Sequence, residues 1–378
     1  MSPQLEIQII AVIVAVACSL PGVFLVLRKM SMMSDAITHT ILLGIVIGFF
    51  MVNSLASPFL IVGAALMGVF TVFLTEILNS TKLVSEDSAI GIVFPLLFSI
   101  AIIIISKYAG SVHLDTDSVL LGELAFAPFN RMKIFGVDIG AKSIYSMGII
   151  LIINLLFVII LFKELKIVTF DPALATVLGF SPALIHYSLM TIVSITAVGA
   201  FEAVGSILVI AFMIGSPVTA YLITDDLKRM LILSGLIGGL NGVLGYQFAS
   251  ILDVSIAGSM ALVTGIVFLL VFVFSPSRGL LTTINRRKRQ RIEFAGKSLM
   301  FHLYNHEGKE DEAFENGIHT IEKHLKWNQQ FLRSIIKNLK ENKRIYVEDN
   351  IIKLTEIGRE YAIMSYEEIV SGFDISIK

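Results

Sequence analysis

A carboxylate and an imidazole, Asp35 and His39, stand four residues apart in Ser31-Met-Met-Ser-Asp-Ala-Ile-Thr-His39, within a chain that is 55% hydrophobic and 16% charged. On a helix, positions i and i+4 share one face, so both side chains can reach one ion. A carboxylate oxygen and a neutral imidazole nitrogen suit a divalent first-row metal such as manganese, iron or zinc, and not copper(I). Both ligands must be deprotonated, so binding weakens on acidification. The plainer reading of these residues is a helix cap at Asp35 beside a histidine bonded to a neighbouring helix. Ionisable groups inside membrane spans are costly and mark pathways, which favours the metal. An unwound stretch over residues 29–34 would set the pair deep, as at the broken helices of transporters.

Other chemistry-bearing stretches are fewer. Glu202, in Ala200-Phe-Glu-Ala-Val-Gly205, is a second possible pathway group, although a carboxylate at a membrane interface costs little. His113, Asp115 and Asp117 fall in a loop where they either gather cations at an outer entrance or cap a re-entrant helix. Asp171, Pro172, Ala173, Leu174, Ala175, Leu178 and Gly179 form a capped short helix: Asp171 caps, Pro172 fits the first position, and Gly179 closes the end left-handed. Its Ala/Leu surface is a docking knob or an ordinary surface turn. His302 and His306 are also i, i+4, but lack the glutamate of a metalloprotease helix. Gly296-Lys-Ser298 fails as a phosphate-binding loop, because Arg291 occupies the first glycine position and no strand precedes it. The chain therefore reads as a non-enzyme with no ATPase motif of its own. Its single cysteine, Cys18, excludes an intramolecular disulfide or a multi-thiolate metal site.

The elements that must hold these groups are membrane helices. A bilayer core needs about 20 apolar residues per helical span, and candidate spans lie at 6–27, 36–53, 57–78, 88–106, 143–162, 182–200, 203–223, 230–248 and 256–275. The first lacks the basic start of a signal peptide and is expected to be a span. Basic residues at Arg28 and Lys29, Lys163 and Lys166, Lys228 and Arg229, and 286–291 follow the first, fifth, seventh and ninth spans and so share one side if all nine cross. That puts the N-terminus outside and the tail in the cytosol.

Apolar density stops near Phe274. Residues 286–378 hold 17 of the 29 Lys and Arg and 15 of the 30 Asp and Glu. Helices are expected at 298–307, 318–326, 328–341 and 355–370, with a β-hairpin over 344–354. Phe331, Ile335, Ile336 and Leu339 recur at helical spacing on the third helix. This is the order of a winged helix-turn-helix. Arg333, Lys337, Lys340 and Arg344 are possible nucleic-acid contacts, but a net charge of only 17 − 15 = +2 makes nucleic acid a less favoured partner than protein. The expected fold is an all-α polytopic membrane protein of about eight or nine transmembrane helices over 1–280, a basic juxtamembrane linker over 281–297, and a cytosolic winged-helix-like domain over 298–378.

Five stretches occur in the order seen in one family: Arg28-Lys-Met-Ser-Met-Met-Ser-Asp-Ala-Ile-Thr-His39, Glu86-Asp-Ser-Ala-Ile-Gly-Ile-Val93, Leu114-Asp-Thr-Asp-Ser-Val-Leu-Leu-Gly122, Phe170-Asp-Pro-Ala-Leu-Ala-Thr-Val-Leu-Gly179 and Val204-Gly-Ser-Ile-Leu-Val209. Over roughly residues 5–278 the chain resembles the permease subunits of manganese/zinc/iron ABC importers. The resemblance implies a homodimer in the bacterial cytoplasmic (inner) membrane, with a cytosolic ATPase on each copy supplying the ATP-driven step. It also implies an extracytoplasmic metal-binding protein and no permanently bound cofactor, the divalent metal being cargo. It assigns metal binding to Asp35 and His39, paired across two copies as a four-ligand gate, and ATPase coupling to residues 171–179. Ser34 stands where glycine is usual, Thr38 where serine is common, and Phe201-Glu202 is more polar than the family pattern, so the choice of metal stays open. The family has about eight spans, which would make one of the nine a re-entrant or half-helix. Residues 328–363 resemble the winged-helix part of metal-dependent repressors related to the diphtheria toxin repressor, without their dimerisation and metal-sensing domain. Two other functions are weighed: an ion-coupled secondary carrier, which needs no docking helix, and a membrane-tethered regulator acting through the tail.

Overall fold

The computed structural model describes residues 2–52, 57–108, 124–134 and 137–375, so His113, Asp115 and Asp117 lie outside the described residues. The chain divides into two compact units, Met1–Gly279 and Leu280–Lys378.

In the first unit, α1 (Pro3–Leu27) starts on a proline at its first position, where the missing N–H would have no partner anyway. Then come α2 (Ser31–Val52), α3 (Pro58–Ser80) and α4 (Glu86–Tyr108). A hairpin of β1 (Arg131–Ile134) and β2 (Val137–Ala141), unforeseen in the sequence, precedes α5 (Lys142–Ile160). Arg131 clamps it, reaching Asp138 at 2.8 Å and the buried carboxylate of Glu6 at 3.1 Å. Next are α6 (Phe162–Phe170), α7 (Pro172–Val177), α8 (Pro182–Val204), α9 (Ser206–Ile223), α10 (Leu227–Leu252) and α11 (Ile256–Phe274). Among the described residues nine helices, α1 to α5 and α8 to α11, are long and apolar enough to cross a membrane. They fall on the nine stretches expected from hydropathy. The α2 start differs from expectation: the backbone is already helical at Ser31, and the break after α1 is confined to Arg28, Lys29 and Met30, with Lys29 left-handed at φ 62°. Whole turns satisfy backbone groups that lipid cannot, which is why the break is so short.

Helix α1 is the hub, packed against α5, α8, α9 and α10. Pro21 inside it cannot donate to the carbonyl of Ala17, four residues back. Asn154 of α5 fills that vacancy, its Nδ2 donating to the Ala17 carbonyl at 2.9 Å and to Thr196 Oγ1 of α8 at 2.8 Å. One buried amide thus ties three helices together where no water competes.

Small residues set the closest crossings. A Cβ on Gly44 of α2 would lie 2.3 Å from the Gly63 carbonyl oxygen of α3, so these backbones touch. Outward faces carry Ile149, Ile152, Ile159 and Leu236, each more than half exposed, as a lipid-facing surface requires.

The second unit contains α12 (Leu280–His306), α13 (Glu312–Glu315), α14 (Ile318–His324), α15 (Gln329–Glu341), the hairpin β3 (Ile345–Glu348) and β4 (Ile351–Leu354), and α16 (Glu356–Ile375). Residues 281–297, read from their charge as a linker, are helical within α12, because Ala295, Leu299, Met300 and Leu303 continue one buried stripe. Leu332, Ile335 and Leu339 bury the inner face of α15, with Phe331 and Ile336 packed at its edge. The hairpin pairs Ile345 with Leu354 and Glu348 with Ile351 through a turn at Asp349 and Asn350, both left-handed, the geometry of a two-residue hairpin loop.

Candidate functional site

The α2 helix brings Asp35 and His39 onto one face, where Asp35 Oδ1 lies 3.4 Å from His39 Nε2. They remain 35% and 24% exposed, enough to receive an ion. Their neighbours Met33, Ser34, Ala36 and Ile37 are buried, and this turns the pair outward from the core. Two rings of α4 enclose the imidazole, Phe94 with its centroid at 5.2 Å and Phe98 at 5.8 Å. Such walls exclude water and raise the effective strength of any charge placed between them.

A structural device beneath the pair is marked in the sequence only by Pro217, which bends or ends its helix. Residues 211–215 of α9 form a single π-helical turn, a feature common at functional positions. Pro217 supplies the cause, since it cannot donate to the carbonyl of Met213, four residues earlier. That carbonyl faces α1, where a Cβ on Gly22 would meet it at 2.0 Å. The Met213 thioether in turn accepts from Ser34 Oγ at 3.0 Å, one residue before Asp35. The contact between Met213 and Ser34 could not be read from the sequence, because 179 residues separate the two partners.

At the end of the helices that carries Arg28, a second polar cluster surrounds a cavity of about 510 Å³ lined by Arg28, Glu76, Thr169, His186 and Tyr187. Arg28 donates to Thr169 Oγ1 at 3.1 Å, and His186 Nε2 lies 2.7 Å from Glu76 Oε1. Tyr187 donates its hydroxyl to Glu76. Burial pulls the Arg28 guanidinium down to about 10. Sequence reasoning passed over Glu76, His186 and Tyr187, which sit singly in otherwise apolar spans.

Helix α7 adjoins that cluster and takes the capped form expected. Asp171 accepts from the Leu174 amide at 2.9 Å, and Gly179 is left-handed at φ 86°. Ala175 is fully buried and anchors the turn, whereas Leu174, Leu178 and Val177 are 47%, 54% and 84% exposed. Ala173 is also exposed. An apolar knob on a rigid stub is what a partner can grip.

Other predicted residues are not gathered at Asp35 and His39. Glu202, 49% exposed near the end of α8, pairs with Lys142 at 3.0 Å. In the second unit, Arg333, Lys337 and Lys340 line one cavity with His319 and Glu341. Arg344 lines another and stacks its guanidinium on Tyr361 at 3.6 Å.

Nine apolar helices with an ionisable pair inside one of them define a polytopic transport protein. The profile of the ABC 3 transport family matches residues 5–275, and the chain belongs to that family. It is 47% identical over 285 residues to the manganese transport system membrane protein MntD of Bacillus subtilis, covering 75% of this chain and 96% of that protein. It is 42% identical over 333 residues to the zinc transport system membrane protein TroD of Treponema pallidum, covering 88% of this chain and 90% of that one. That second alignment is too long for the first unit alone and runs into the second. Among solved structures, PsaBC from Streptococcus pneumoniae in complex with Fab superposes with a TM-score of 0.62 at 28% identity, covering 74% of this chain and 94% of that one.

Proposed function

We propose that this chain is the permease subunit of an ATP-binding-cassette importer that moves a divalent transition metal, manganese, zinc or iron, into the cytoplasm, with Asp35 and His39 binding the ion in transit. The observation that carries the reading is the Asp35–His39 contact of 3.4 Å inside an apolar span walled by Phe94 and Phe98. Two ligands hold an ion only loosely, which suits cargo. A second copy of the chain contributes its own pair and completes four ligands, the number a closed zinc site uses. Relatives named for manganese and for zinc support the class and leave the metal open, as an Asp/His donor set itself does.

In this reading the apolar knob of α7 docks a cytosolic ATPase, and the Arg28–Glu76–His186–Tyr187 cluster beside it forms the inner mouth. An extracytoplasmic binding protein delivers the ion from the other side, where Glu202 and Lys142 form a rim ion pair and residues 113–117 serve as the outer entrance. The second unit is cytosolic, and its order of four helices, the second a single turn, then hairpin and helix fits a winged helix that contacts protein. Nucleic acid is less favoured there, since residues 286–378 carry a net charge of only 17 − 15 = +2.

The test is co-purification with the ATPase, coupled to uptake in proteoliposomes. Leu174→Asp puts a charge on the docking knob and is expected to lower ATPase recovery and ATP-driven uptake by about ten-fold or more, the scale of a lost interface anchor. Uptake that needs no ATPase and follows an ion gradient would favour a secondary carrier instead.

A further inference from the structure

We propose that the second unit holds a regulatory site for a divalent first-row transition metal, ligated by His302, Glu315 and His324. The three residues come from three elements, His302 near the end of α12 and Glu315 and His324 at the ends of α13 and α14. Each offers a ligand atom, and these atoms lie within 4.8 Å of one another. Among the described residues this is the one set of three or more His, Cys, Asp or Glu side chains so gathered. The site is independent of the transport reading of Asp35 and His39.

Chemistry narrows the ligand. Two imidazoles and one carboxylate form the donor set of zinc and of iron(II) sites with open positions, whereas calcium and magnesium prefer all-oxygen shells. Glu315 Oε2 lies 2.8 Å from His324 Nδ1, so an ion replaces the proton shared there. His302 Nε2 lies 3.1 Å from the Glu315 backbone carbonyl. An N–H donated to that oxygen fixes the ring and leaves Nδ1 as the lone-pair nitrogen, an orientation typical of metal-ligating histidines. Ligands about 2.0–2.2 Å from a tetrahedral ion stand roughly 3.3–3.5 Å apart. Glu315 Oε2 and His324 Nδ1 must part by about half an ångström while the wider separations, at most 4.8 Å, close by about an ångström, which side chains 18% and 46% exposed at Glu315 and His324 can do by rotamer adjustment.

His306, the i+4 partner of His302, is not part of the set. Its ring stacks on His302 at 4.9 Å, but its Nδ1 turns to Asp311 Oδ2 at 3.0 Å. Water therefore takes the fourth position.

The site is placed to regulate. Asn316, next to Glu315, accepts from the Ile352 amide of β4 at 3.0 Å, and Ile318 donates to the Asn350 carbonyl at 3.2 Å. The backbone that carries Glu315 is thus knitted to the hairpin. Metal binding locks α12, α13 and α14 together and, through these bonds, fixes the hairpin turn.

Trp327 provides a selective readout, because it is the only tryptophan in the chain and packs three residues beyond His324, against Phe331 at 5.7 Å. The experiment uses the full-length protein in detergent with Asp35→Ala and His39→Ala introduced to remove the transport pair. Zn²⁺ is titrated against Trp327 fluorescence and Co²⁺ against visible absorption. Expected are one ion per chain, a change in Trp327 emission, and a cobalt spectrum of low coordination number. His302→Ala, His324→Ala and Glu315→Gln should each weaken binding by about ten-fold or more, as loss of one of three ligands demands. His319→Ala, on the same helix but lining another cavity, should leave it unchanged. Glu315→Gln keeps shape and hydrogen bonding, so a folding failure at either histidine leaves the test intact. Binding that stays within two-fold in Glu315→Gln, or no metal-dependent change at Trp327, overturns the proposal.

Discussion

Two residue pairs with the same i, i+4 spacing, one in each unit, end in different arrangements. In the first unit Asp35 and His39 face each other at 3.4 Å beside the rings of α4. In the second, His302 and His306 stack but bond outward, His302 to the Glu315 backbone and His306 to Asp311. Helical spacing puts side chains on one face; what the neighbouring elements offer decides whether they meet. An apolar span offers no competing partner, so the pair closes on itself. A polar surface offers several, so each imidazole bonds a different neighbour and His302 gathers with Glu315 and His324.

The same contrast governs energetics. In the membrane unit buried polar groups such as Asn154 depend on protein partners and the closest backbones touch, whereas exposed polar bonds of the second unit have water as a substitute. The largest effect is expected at Gly22, where any side chain meets the Met213 carbonyl at 2.0 Å. Gly22→Leu should cost upward of about 3 kcal/mol or abolish folded protein, read by thermal unfolding in detergent. Gly265→Leu, with open space around it, should behave as wild type. Equal melting of the two variants would break the contrast.

Asn154→Leu comes next. It leaves the Ala17 carbonyl freed by Pro21 without its donor, and a loss of about 1–3 kcal/mol is expected in the same assay. The smallest effect should come from the second unit. Arg359→Ala removes a pair with Glu307 at 2.8 Å in which Arg359 is half exposed, and water replaces it. Its unfolding midpoint should not move measurably. A loss there matching that of Asn154→Leu would show the second unit to be as intolerant as the first.

Legibility in the sequence followed the same division. Nine spans could be read because apolar runs of that length have few other uses. The α7 cap was legible because Asp171, Pro172 and Gly179 each act locally. The helix order of the second unit was legible from periodicity, and Leu332, Ile335 and Leu339 bury the face it indicated. What escaped was long-range. Asn154 answers Pro21 from 133 positions away, Met213 meets Ser34 across two helices, and Glu315 joins His302 and His324 only after three helix ends converge. No local pattern encodes such contacts. The hairpin at β1 and β2 was also not foreseen.

The central claim is that Asp35 and His39 bind the ion in transit. Its most direct test is uptake of manganese, zinc and iron, measured separately in cells carrying the wild-type chain or the Asp35→Ala/His39→Ala double variant at equal membrane abundance. The expected result is loss of uptake of the transported metal by about a hundred-fold, with the protein still folded and still recovering its ATPase. Uptake of that metal at the wild-type rate in the double variant would contradict the claim.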